Sequence, residues 1–101
     1  MLKSELKTGM IVTNGYGDEF MVYRNVTTEQ VSGDFFVMIR THEAFCENMS
    51  NYTDDLKYVD DFDQKQDIVK IEILRHPECF AQPIAKTKNR KVLWERSEAV
   101  R

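Results

Sequence analysis

Between two runs rich in β-branched and aromatic residues, Gly9-Met10-Ile11-Val12-Thr13 and Glu19-Phe20-Met21-Val22-Tyr23-Arg24, the chain places Asn14-Gly15-Tyr16-Gly17-Asp18. Asn and Gly tolerate the positive φ that a tight reversal demands, and the flanking side chains suit a pleated, half-buried surface. The pattern predicts a β-hairpin. Three further runs have strand character. Asp34-Phe35-Phe36-Val37-Met38-Ile39-Arg40 is apolar on both faces for five residues, as in a strand covered on both sides. Residues 67–75 alternate from Val69 onward, which puts Val69, Ile71 and Ile73 inward and Lys70 and Glu72 outward. Lys91-Val92-Leu93-Trp94-Glu95-Arg96 forms a last strand, with Trp94 expected to plug the core rather than serve as an exposed recognition aromatic.

Between these runs the period changes. Phe45, Met49, Tyr52 and Leu56 are spaced four, three and four, which predicts a short helix over 45–53 packed across the sheet. Residues 25–33 read as a loop or a ragged strand extension, 57–66 as an acidic surface loop, and 76–83 as a break bounded by Pro77 and Pro83. At 101 residues there is room for one domain. Strands at 10–13, 19–24, 34–40, 67–75 and 91–96 with one short helix make it mostly β, a small, partly open SH3-like barrel or a strongly bent antiparallel sheet.

Charge narrows the partners. The net charge is −3, and residues 54–67 hold six Asp against Lys57 and Lys65, so a polyanion or an anionic membrane is repelled at long range. The exception is Lys86, Lys88, Arg90 and Lys91, four cations without an acid, expected to project from a connecting loop. They read either as a solvated hairpin tip or as phosphate contacts of a nucleic-acid module, with Tyr16 or Tyr23 as stacking candidates. Absence of an apolar leader block at the start of the chain points to the cytoplasm, with reduced thiols at Cys46 and Cys79.

No set of residues fills catalytic roles. Ser4, Ser32, Ser50 and Ser97 lie in no nucleophile motif, and Gly15 and Gly17 serve a hairpin rather than a phosphate loop. The pairs His42-x-x-x-Cys46 and His76-x-x-Cys79 could in principle gather four zinc ligands, but the spacing matches no standard finger. Asp61, Asp63 and Glu72 fall at positions 1, 3 and 12 of a calcium loop, yet Lys65 and Gln66 stand where an oxygen ligand and a Gly belong. No metal, cofactor or catalytic activity is therefore expected.

Four segments, in this order, resemble a group of small proteins encoded by phages and prophages of Gram-positive bacteria. They are Leu6-Lys7-Thr8-Gly9-Met10-Ile11-Val12, Tyr52-Thr53-Asp54-Asp55-Leu56, Asp67-Ile68-Val69-Lys70-Ile71 and Leu93-Trp94-Glu95-Arg96. The resemblance implies a small β fold and carries no catalytic residues. The connection 76–90 is longer here than in that group, so the basic cluster is this chain's own. The combined expectation is a non-catalytic accessory module that binds another protein, with nucleic acid as the alternative partner.

Overall fold

The computed structural model describes residues 2–39, 45–60, 63–74 and 90–96. Six strands form one antiparallel sheet: β1 (Ile11–Asn14), β2 (Glu19–Thr27), β3 (Ser32–Met38), β4 (Cys46–Asn48), β5 (Ile68–Leu74) and β6 (Arg90–Glu95). Their order across the sheet is β4-β3-β2-β1-β5-β6, so the sheet is open, with β4 and β6 at its edges. The domain is mostly β, as its sequence indicates.

The first hairpin follows from its turn chemistry. Asn14 is buried, and its side-chain oxygen accepts from the Tyr16 and Asp18 N–H groups, at 3.0 Å each. Gly17 takes φ +86°, a conformation L side chains rarely adopt. Gly15 donates to the Lys65 carbonyl at 2.8 Å, and a Cβ there would lie 3.0 Å from that same oxygen. This turn works only because Gly15 has no side chain. Residues 25–33 resolve as strand extension: β2 and β3 continue to a tight turn in which Thr28 pairs with Val31. A register shift between Tyr23 and Val26 accommodates Asn25 at φ +58°.

The expected helix over 45–53 is not formed. That stretch is the short edge strand β4 followed by a 3-10 turn, Met49–Asn51, capped by Asn48, whose side chain accepts from the Ser50 N–H at 2.8 Å. Asn, Ser and Thr are poor in helix interiors because their side chains compete for the backbone, whereas β3 offers ready partners to residues 46–48. The apolar spacing still has its effect. Met49, Tyr52 and Leu56 are buried, while Phe45, the fourth member, is exposed but stacks at 6.3 Å from Phe20. Leu56 reaches the core from a turn at φ +64°, outside any helix.

One face of the sheet carries the main core. Val12, Phe20, Val22, Phe36, Ile68 and Ile71 pack under Leu6, Met49, Tyr52 and Leu56, with Trp94 partly buried at the margin. Tyr52 meets Phe36 edge-on at 5.0 Å and Tyr58 at 5.4 Å. Trp94 therefore seals the rim instead of plugging a closed barrel, with the Arg96 guanidinium 5.0 Å above its ring. The opposite face carries a smaller cluster of Ile11, Met21 and Leu74, with Ile39 against it. In β3 only Phe36 is buried, and its neighbours are half-exposed, so that strand is less covered than its composition suggests.

Leu56 is inaccessible to solvent and Val59, three residues on, is 56% exposed. Leu56→Ala should cost about 2–5 kcal/mol in chemical denaturation. Val59→Ala should stay within about 0.5 kcal/mol, and equal midpoints would contradict this core.

Candidate functional site

The sequence predicts Glu72 to point outward, yet it is buried, and the reason is an ion cluster on the smaller-core face. Arg90 Nη1 lies 2.5 Å from Glu19 Oε2 and 3.5 Å from Glu72 Oε1, with all three side chains no more than 10% exposed. Lys70 adds a fourth charge, 3.8 Å from Glu72. Glu19 stands on β2 and Arg90 on the edge strand β6, with β1 and β5 between them. Adjacent strands are about 4.8 Å apart, so a flat sheet would hold those two backbones roughly 14 Å apart. The twist of the sheet brings the two corners together.

This arrangement divides the basic run of the sequence. Lys86 and Lys88 lie outside the described residues. Arg90 and Lys91 belong to β6 rather than to a loop, and the Arg90 guanidinium already serves two carboxylates. Lys91 is exposed. Of the stacking candidates, Tyr16 is 52% exposed at the first hairpin tip, with its hydroxyl on both Asp63 oxygens and Lys65 5.7 Å above its ring. That carboxylate raises the Tyr16 pKa and also opposes a phosphate. Tyr23 is exposed on β2, two strands in from β6. The structure does not gather these groups into one surface. Of the two His/Cys pairs, only Cys46 is described, as an exposed free thiol. His42, His76 and Cys79 lie outside the described residues, as does Asp61 of the calcium-like spacing. Among the described residues no three His, Cys, Asp or Glu side chains come together to hold a metal.

The two sheet edges differ. β4 is three residues long and runs straight into the capped turn at Met49, which makes it a poor template for a further strand. β6 is six residues long, and no described strand lies on its outer side. Its consecutive residues Lys91, Val92 and Leu93 are exposed, Val92 at 48% and Leu93 at 40%. Leu93 is an extra residue in the ladder: Trp94 faces Ile71, whereas Val92 faces Glu72. Inward, β6 is held by the Arg90 cluster at one end. At the other, the Arg96 N–H donates to the Val69 carbonyl and its side chain to the Ile68 and Asp55 carbonyls. A fixed strand thus presents an open edge.

A polar cleft of about 360 Å³ lies beside the β2–β3 hairpin, lined in part by Lys3, Arg24, Asp34, Ser50 and Asp54. Its cations are engaged in holding the fold. Lys3 Nζ donates to the Tyr52 carbonyl at 2.8 Å, and Arg24 donates to the Leu6 carbonyl at 3.0 Å and to Asp34 at 3.2 Å. Asp34 also accepts from the Asn25 N–H at 2.8 Å, and this bond is the main reason its pKa is lowered, with Arg24 reinforcing it. Tyr52, buried and bonded to Glu47 at 3.0 Å, has its hydroxyl pKa pushed far up, chiefly by burial.

Sequence reasoning missed the roles of Glu19, Glu72 and Arg96. No local signal separates a buried Glu in a strand from an exposed one, because its partner lies tens of residues away.

Arg90→Ala leaves two buried carboxylates without their cation, so it should cost about 3–5 kcal/mol by denaturation. Lys91→Ala, one residue on, should change stability by no more than about 0.5 kcal/mol. Asp34 has a folded-state pKa below its ordinary value of 3.8. The stability it contributes is therefore present above that pH and lost as the pH falls further. Acid titration of stability should be shallower below pH 3.8 for Asp34→Asn than for the parent, and superimposable curves would rule out that contribution. No family model, curated protein or solved structure matches the chain.

Proposed function

We propose that this chain is a non-catalytic protein-interaction module, a phage or prophage accessory protein acting in the host cytoplasm. On this reading it takes up an extended protein segment along the outer edge of β6. The observation that carries the reading is the edge itself, a six-residue strand with exposed Val92 and Leu93, anchored from behind by Arg90 and Arg96. An added strand gains main-chain hydrogen bonds from such an edge, and the alternating side chains give selectivity. The phage setting is supported by the resemblance of four segments of the sequence. Nucleic acid is the less favoured partner, because Arg90 is committed to carboxylates and the net charge is −3.

A random-peptide library displayed on beads and selected on immobilised protein tests the edge directly. Enriched peptides should protect β6 amides from hydrogen exchange. They should lose at least tenfold in affinity on the Val92→Lys/Leu93→Lys variant, whose melting temperature should match the parent because both sites are exposed. Peptides that bind both proteins equally, or no enrichment at all, would overturn the assignment.

A further inference from the structure

We infer that the strand accepted by β6 is β6 of a second copy, forming a weak antiparallel dimer about a two-fold axis between Val92 and Leu93. This rests on the strand-addition reading above and names its occupant. In an antiparallel pair, opposed residues must point to the same side of the sheet, so an unbroken strand pairs with its own copy only about a residue. β6 is not unbroken. Because Leu93 is extra, Lys91 and Trp94 both share the side of Ile73 and Ile71, while Arg90 and Glu95 both share the side of Leu74 and Lys70. Pairing about the Val92–Leu93 bond then opposes Arg90 to Glu95 of the other copy and Lys91 to Trp94. Val92 meets Leu93 at the axis.

Each contact occurs twice, once on either side of the axis, as in any isologous interface. Opposite charges meet at the ends, a cation meets an aromatic ring next, and the exposed apolar side chains close on each other in the middle. A bulge and an exposed Lys commonly guard an edge. Here the bulge instead makes the edge complementary to itself. Strands of six residues bury little area, so the dimer belongs to the weak, concentration-dependent class.

Sedimentation equilibrium of the full chain from micromolar to millimolar concentration reads the outcome. The mass should rise from that of one chain toward two. Leu93→Lys places like charges at the axis and should weaken self-association at least tenfold, and Glu95→Lys should weaken it by setting cation against Arg90. Both variants should keep the parent's hydrogen-exchange protection across β1, β2 and β5, which shows that they fold. A parent that stays monomeric at millimolar concentration would overturn the dimer, and peptides selected on β6 would then still support strand addition by a different protein. A parent dimer that Leu93→Lys leaves intact would place the interface elsewhere and overturn it equally.

Discussion

The guanidinium of Arg90 decides where the last strand goes. Two buried glutamates on one side of a sheet are costly without a cation, and Glu19 and Glu72 come from β2 and β5, so neither hairpin alone can neutralise them. Only a residue on the far side of β5 that reaches back over the twisted face meets both. That requirement fixes the position of β6 more sharply than its modest apolar content could, since Lys91, Val92 and Leu93 bury little. A buried pair of this kind adds specificity more than net stability when compared with apolar packing. The stability of the domain comes instead from the larger core on the other face.

That core has its own constraint, the segment from Met49 to Tyr58, which covers the sheet without regular structure. Irregular backbone laid over apolar side chains leaves carbonyls that need donors. Three long cations supply them. Lys3 donates to the Tyr52 carbonyl, Arg24 to that of Leu6, and Arg96 to those of Asp55 and Ile68. The charged ends of these side chains thus work as surrogate backbone partners, and their stems lie along the sheet. Most of the positive charge near the core is spent inside the molecule, which is why neither the polar cleft nor the β6 edge offers a cationic surface.

Much of the fold was legible in the sequence because its signals are local. The Asn-Gly turn and the β-branched runs depend on residues within a few positions, and five strands fall where those runs predict them. Burial of Met49, Tyr52 and Leu56 was legible as well, since a period of three to four marks an inward stripe whatever backbone carries it. The backbone itself was not legible there, because the choice between helix and edge strand turned on β3, which lies outside the window. The outward assignment of Glu72 failed for the same reason. Polarity predicts exposure only when no partner is buried with it, and Arg90 is 18 residues away. In the candidate edge, composition showed a final strand, but only the register showed that Leu93 is an extra residue.

The segments that carry the resemblance to phage-encoded proteins are those that build the interior. Leu6, Val12, Tyr52, Leu56, Ile68 and Ile71 are core, and Trp94 and Arg96 close its rim. Residues chosen by packing identify a shared framework and say little about what the framework holds. A chain of this size devotes nearly all its apolar side chains to one small core, so a binding surface has to be made from what the sheet leaves over. Here the remainder is a strand edge. Edges are costly to leave open, since unpaired main-chain groups invite any extended segment. β4 limits that exposure by being short, whereas β6 keeps full length and is held rigid from behind by Arg90 and Arg96. A liability curtailed on one side and braced on the other is the geometry of a docking strand.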